Sequence, residues 1–286
     1  MFRRDMSDLT RRGLLLGAAT LGAGTLLSAC SKTNVPLAPS PSGAVRAQLD
    51  AVMATYSKDR PQLGMALRDR RSNTTYDFNG SYSSQSASMA KVMIVLMALR
   101  KARQDGGTLS IENRALATKA IENSNNDAAD ALWAYAGGPD AYAKLAKDLG
   151  MANTKRDPSK DFWSWTWTTP LDQRLLLEKI MSGSPAIDND DRGWLWGLMD
   201  AVQADQRWGV GVPSAPDVNV EMKNGWVLFS SSDKQWAVNS IGHVQGRTRD
   251  YVLTIMSRVP DFATGRDLTS AIGQSVWDIM GSGQLA

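Results

Sequence analysis

The sequence predicts an α/β chain of the α+β kind, in which an antiparallel sheet flanked by helices is joined to an all-α lobe. Three observations lead there. Extended segments with β-branched and aromatic residues occur near both ends of the chain, a long block of helical spacing separates them, and the last segment returns to helical spacing. Strands at both ends must then pair around an inserted helical block. The chain has 286 residues, 43% of them apolar and 21% charged, which is ordinary globular composition and enough length for a substantial core.

In chain order, Val45, Leu49, Val52 and Met53 fall on one face of a helix over Ala44–Tyr56. Leu63–Arg68 reads as a strand, Arg70–Asn73 as a turn and Thr74–Phe78 as the hairpin partner. Ser86–Lys101 follows, with eight consecutive apolar residues from Val92 to Leu99; its Met, Ala, Leu and Lys favour a buried helix. Helical spacing continues over Asp127–Ala136, Asp140–Leu149, Pro170–Met181 and Asp191–Val202. Asn219–Lys223, Gln235–Ile241 and Tyr251–Ser257 read as strands, and Leu268–Met280 as a closing helix. The α/β lobe is expected at about 44–84 and 205–286, and the α lobe at about 85–204.

The N-terminus carries an address. Thr10-Arg11-Arg12-Gly13-Leu14-Leu15 resembles a twin-arginine export signal, Gly13–Leu27 is a short apolar run, and Leu27-Ser28-Ala29-Cys30 resembles a lipobox. Residues 1–29 are expected to be a signal peptide, with Cys30 lipidated and the protein held by that anchor alone at the outer face of a bacterial cytoplasmic membrane. Residues 30–43 are rich in Pro and Ser, as a flexible tether would be. Arg3, Arg4, Arg11 and Arg12 lie in the leader, so the formal charge of +3 leaves the body near neutrality and gives no basis for nucleic-acid binding. Cys30 is the single cysteine and His243 the single histidine, which disfavours an internal disulfide and a zinc hydrolase. No G-x-S-x-G elbow occurs, so a Ser-His-Asp hydrolase is disfavoured too. No cofactor is expected, and His243 reads as a sheet residue.

Three short motifs carry the chemistry. In Ser88-Met89-Ala90-Lys91, positions three apart share a helix face, so the Lys91 amine can approach the Ser88 hydroxyl. Burial would lower the pKa of that amine toward a usable base, and a serine needs such a neighbour to be nucleophilic. The plainer alternative has Lys91 snorkelling and Ser88 capping a helix. Ser124-Asn125-Asn126 heads a second helix, as N-caps or as a second hydroxyl and amide beside Lys91. Lys223-Asn224-Gly225 lies on a strand, where glycine would let a ligand approach the backbone and lysine would attract a carboxylate.

The three motifs in this order resemble the S-x-x-K, S-D-N and K-T-G set of class A β-lactamases and penicillin-binding proteins. The likeness extends over about residues 44–286. It implies the β-lactamase/transpeptidase-like fold, with Ser88 as the acylated nucleophile, Lys91 as the acylation base and Ser124 as a proton shuttle to the leaving nitrogen. It further implies that Asn126 orients the substrate amide, that Lys223 attracts its carboxylate beside Asn224 and Gly225, and that the backbone N–H groups of Ser88 and Trp226 form the oxyanion hole. The substrate would be a β-lactam or a peptidoglycan-stem-like small molecule.

One part of the pattern is missing. Class A enzymes carry E-x-x-L-N on a loop before T-T-P, and the glutamate activates the deacylating water. Here the interval is KRDPSKDFWSWTWTTP, without glutamate; Asp157 and Asp161 are its carboxylates. Its Trp163, Trp165 and Trp167 would either staple the loop to the α lobe or face substrate. Acylation is therefore expected, and rapid deacylation is in question. That keeps two rivals open beside a β-lactamase-like hydrolase: a D-Ala-D-Ala carboxypeptidase or transpeptidase-like enzyme, and an envelope lipoprotein that has kept the fold without turnover.

Overall fold

The computed structural model describes residues 42–60, 62–160, 162–229 and 234–285. These all fall within one compact unit, Leu37–Ala286. Cys30, the leader and most of the tether lie outside the described residues, as does Asp161.

The chain opens with α1 (Ser42–Ser57), β1 (Leu63–Asp69) and β2 (Thr74–Phe78). A short strand β3 (Ser84–Gln85) leads through a 3-10 turn, Ala87–Met89, into α2 (Ala90–Gln104). The helical middle continues with α3 (Ile111–Glu122), α4 (Asn126–Tyr135) and α5 (Gly138–Leu149). After β4 (Trp167–Thr168) come α6 (Pro170–Ser182) and α7 (Asn189–Asp200), then β5 (Asn219–Leu228), β6 (Trp236–Gly246), β7 (Arg249–Val259) and α8 (Phe262–Ser282).

The main sheet has the order β2-β1-β7-β6-β5, all antiparallel, so the N-terminal hairpin does pair with the C-terminal strands through β1 and β7. β6 and β7 are buried along most of their length, with helices packed against the sheet on both faces. This explains why β6 and β7 run longer than their sequence pattern predicts. Strands covered on both sides lose the apolar/polar alternation, and buried Asn239, Ser240 and His243 interrupt the apolar run.

α2 is the axis of the α lobe, packed against α3, α4, α5 and α7. Its residues Ala90 to Leu99 are all buried, which is why a helix apolar all round is stable there. α3 has no counterpart in the sequence reading. Only Ala117, Ala120 and Ile121 of it are buried, so its stripe is narrow and built of small residues. Its one clear signal is Ser110, an N-cap that accepts from the Asn113 N–H at 3.2 Å.

Candidate active site

The first motif sits at a change of helix type. Ser88 lies in the 3-10 turn and Lys91 in the first turn of α2, and the Lys91 Nζ stands 3.0 Å from the Ser88 Oγ. The turn is set by its neighbours: the Ser86 N–H donates to the Thr166 carbonyl at 2.8 Å, and β3 pairs with β4. Ala87, just before the nucleophile, is held at φ +49°, a left-handed conformation that costs a residue with a Cβ about 1 kcal/mol or more. Ser124 shows the same feature at φ +56°. Both strained residues border the same cluster of hydroxyls and amines.

Lys91 is buried, and its amine is surrounded by acceptors. Besides Ser88 it reaches the Ser124 carbonyl at 2.5 Å, the Ser124 Oγ at 3.2 Å and the Asn126 Oδ1 at 2.8 Å. Burial lowers its pKa to about 7, with the Asp130 carboxylate opposing that shift. At neutral pH a large fraction of the amine is therefore uncharged and able to take a proton. Lys223 on β5 is fully buried, donating to the Ser124 Oγ at 2.9 Å and to the Asn224 carbonyl at 3.0 Å. Its pKa is also driven down, first by burial and then by the nearby charge of Lys91. The structure thus gathers Ser88, Lys91, Ser124, Asn126 and Lys223 into one hydrogen-bonded cluster.

Strand alternation divides the third motif. Asn224 faces away from the cluster, buried, its amide donating to the Gln206 carbonyl at 2.7 Å and the Trp208 carbonyl at 3.1 Å. Gly225 has a different reason from the one its sequence context suggests. A Cβ there would lie 2.8 Å from the Ser88 N, the Met89 N and the Ser86 O, so the glycine admits the turn of the nucleophile itself rather than a ligand backbone. Trp226, half-buried, stacks on Trp208 and Phe262 with ring centroids 5.9 and 5.3 Å away.

A cavity of about 370 Å³ opens over Ser88, with Ser124, Asn126, Asp130, Trp163 and Trp226 among the residues that line it. A larger one, about 680 Å³, lies between α2 and the start of α7, where Arg103 is paired with Asp188 and Asp191; none of the residues of the three motifs lines it. The tryptophans of the loop before β4 and α6 divide their work. Trp165 and Trp167 pack on Phe229 beyond β5, at 6.1 and 6.2 Å. Trp163 does two things at once: it lines the cavity, and its Nε1 donates to the Asp130 Oδ1 at 2.5 Å with the Lys91 Nζ 4.9 Å from its ring centre.

Asp157 is not among the cavity residues. It accepts from the N–H and hydroxyl of Ser159, at 2.9 and 2.7 Å, and from Trp167 Nε1 at 3.3 Å, and those bonds hold its pKa below the usual carboxylate value. The carboxylate that does line the cavity is Asp130. The sequence carried a signal for it: Asp130 is four residues after Asn126 on α4, hence on the same helix face. His243 is elsewhere, on β6, its ring nitrogens each 2.8 Å from Glu221 and Asp250, with Trp196 packed 5.7 Å away.

Comparison with known proteins places the chain in a family. Proteins named "Putative lipoprotein LppW" in Mycobacterium bovis and Mycobacterium tuberculosis are 26% identical over 234 residues, 78% of this chain and 71% of theirs. Among solved structures, TLA-3 extended-spectrum β-lactamase matches with a TM-score of 0.71 at 16% identity, covering 84% of this chain and 100% of that one. A class A β-lactamase from Bacteroides cellulosilyticus gives 0.70 at 18%, covering 83% and 99%. A β-lactamase from Xanthomonas campestris gives 0.69 at 19%, with the same coverage. The fold is therefore that of class A β-lactamases. The family model described as Beta-lactamase enzyme family matches residues 105–280, a span that holds Ser124 and Lys223 and begins after Ser88 and Lys91. With more than half of its length matched, the chain belongs to the Beta-lactamase enzyme family.

Proposed function

We propose that the protein is an exported serine hydrolase that opens a β-lactam or related amide through an acyl-enzyme on Ser88. The observation that carries this reading is the buried Lys91 amine 3.0 Å from the Ser88 Oγ, with its pKa near 7. A neutral Lys91 takes the Ser88 proton as the oxygen attacks the carbonyl carbon, and the carbonyl oxygen becomes an oxyanion facing the N–H groups of Ser88 and Trp226. When the C–N bond breaks, the proton passes from Lys91 to the Ser124 Oγ, 3.2 Å away, and Ser124 gives its own proton to the leaving nitrogen. Lys223, bonded to the same hydroxyl, holds Ser124 in place. Asn126 fixes the neutral amine by accepting from it and presents its remaining amide group to the substrate.

Hydrolysis of the ester then needs a base for water. Asp130 is the carboxylate at hand, but one oxygen is engaged by Trp163. This favours a long-lived acyl-enzyme and gives weight to a second reading, a carboxypeptidase or transpeptidase-like enzyme, in which such an intermediate persists. The lipobox-like Leu27–Cys30 agrees with the lipoprotein description of the mycobacterial relatives and supports export, lipidation at Cys30 and a reaction in the cell envelope. A lipoprotein without turnover is the remaining alternative.

The test is to incubate the full-length protein and its Ser88→Ala variant with benzylpenicillin, a chromogenic cephalosporin and p-nitrophenyl phenylacetate, following intact mass and absorbance together. Turnover with little adduct supports a β-lactamase, and a lasting adduct on Ser88 supports the penicillin-binding reading. No adduct and no turnover with any of the three, from folded protein, sinks the enzyme reading, and an adduct that survives in Ser88→Ala removes Ser88 from the mechanism.

A further inference from the structure

Side chains along β5 meet the cleft in a fixed order. Residues two apart on a strand face the same way, so from Lys223 every second residue turns toward the nucleophile. The Lys223 Nζ donates to the Ser124 Oγ at 2.9 Å, Gly225 lies against the backbone of the Ser88 turn, and Val227 lines the cavity over Ser88. Phe229, one residue past the end of β5, is next in that row. Its ring meets Trp165 and Trp167 of the opposite loop, with centroids 6.1 and 6.2 Å away.

Both sides of this contact are fixed. Thr166, between the two tryptophans, accepts the Ser86 N–H at 2.8 Å, and Trp167 pairs with Gln85 in the β3–β4 ladder, so the indoles are tied to the segment that carries Ser88. On the other side the Phe229 N–H donates to the Gln235 carbonyl at 2.6 Å, which extends the β5–β6 hairpin. Cations hold the rings further, with the Lys160 amine 5.2 Å from the centre of Trp165 and the Arg258 guanidinium 3.5 Å from that of Phe229. Among the described residues, Ser164 and Val227 line the cavity, whereas the rings of Trp165 and Phe229 just beyond them do not. The cavity therefore stops where these rings meet.

The same order decides which end of a substrate meets the rings. When the leaving nitrogen takes its proton from Ser124, it sits at the Lys223 end of the row, and the acyl group runs the other way, past Val227. We propose that Phe229, packed on Trp165, is an end-stop that limits the length of the acyl group, so that Ser88 takes acyl donors ending in a short chain or a single ring. The proposal rests on the acyl-enzyme reading above and adds to it a specificity-determining residue that lies outside all three motifs.

The experiment compares p-nitrophenyl phenylacetate with p-nitrophenyl biphenyl-4-ylacetate, which carries a second, rigid ring in line with the first and leaves the reacting carbon unchanged. Acylation of Ser88 in the full-length protein is timed by intact mass, and each rate is divided by that ester's hydroxide-catalysed hydrolysis rate. The single-ring ester is expected to react faster by about tenfold or more. Phe229→Ala should bring the two rates within about threefold by raising that of the longer ester, while labelling by the shorter one stays as in wild type. A loss of folding would lower both rates and could not change their ratio in this direction. If Phe229→Ala labels with neither ester, Trp165→Leu, which removes the facing ring, is read in the same way. Equal rates in the wild type, or an unchanged ratio in the variant, overturn the proposal. An adduct from benzylpenicillin with none from either ester overturns the end-stop alone; no adduct from any of the three overturns the acyl-enzyme reading with it.

Discussion

The two walls of the cavity are built on different principles. On the side of α2, two buried amines are joined by hydrogen bonds to the hydroxyls and amide of the motifs: Lys91 meets acceptors from Ser88, Ser124 and Asn126, and Lys223 closes the cluster from β5. On the side of the loop before β4, the wall is aromatic, and a single carboxylate, Asp130, is held by the indole of Trp163. The first wall is prepared to move a proton away from a serine. The second lines the cavity with rings and offers one partly engaged base. On the proposed reading, such a site would make an ester more readily than break one.

The largest effect should come from damaging the first wall. Lys91→Met removes the base while keeping the apolar stem, and acylation should fall by about 10²- to 10⁴-fold, measured as the rate of adduct formation. Unchanged acylation would move the base elsewhere.

The next effect joins the two walls. Acylation by wild-type protein should rise with pH around the Lys91 pKa of about 7, because only the neutral amine accepts a proton. Asp130 favours the charged amine, so Asp130→Asn should shift this rise to lower pH and lengthen the life of the adduct, by about tenfold or more if the carboxylate activates water. The stability consequence has the opposite origin from a salt bridge. The Lys91 pKa is lower in the folded state than in the unfolded one, so the unfolded chain binds more protons between pH 7 and the usual lysine value, and this group's contribution to stability grows as pH rises through that window. An acylation profile flat from pH 5 to 9 would contradict the assignment.

The smallest effect belongs to the second wall. Trp163→Phe keeps a ring and loses the bond to Asp130, costing about 1 kcal/mol, or roughly 2–4 °C in melting temperature by calorimetry. Freed of the indole, Asp130 should also release the adduct faster. A variant with unchanged adduct lifetime would show that Trp163 does not restrain the carboxylate.

Much of this comparison was legible in the sequence, and the exceptions have physical causes. The pairing of terminal strands around a helical block followed from the order of periodic segments, and the three motifs named the residues of the first wall. α3 was missed because small buried residues make a weak stripe, and the inner strands were shortened because burial on both faces erases alternation. The direction of Asn224 and the reason for Gly225 depend on what lies across β5, namely the segment around Gln206 and the turn at Ser88, and strand spacing alone does not reveal that. Asp130 is legible from its helical spacing to Asn126, whereas the loop that lacks the glutamate offers Asp157 and Asp161. Asp157 turns out to be occupied by Ser159 and Trp167.

The central claim, that this site acylates faster than it deacylates, is tested most directly by mixing the full-length protein with excess p-nitrophenyl phenylacetate. Release of p-nitrophenol and intact mass are recorded on the same time course. The account predicts a burst of about one equivalent, a phenylacetyl adduct on Ser88 that persists through the slow phase, and neither in Ser88→Ala. Steady turnover without a burst, while the protein carries no adduct, would contradict it.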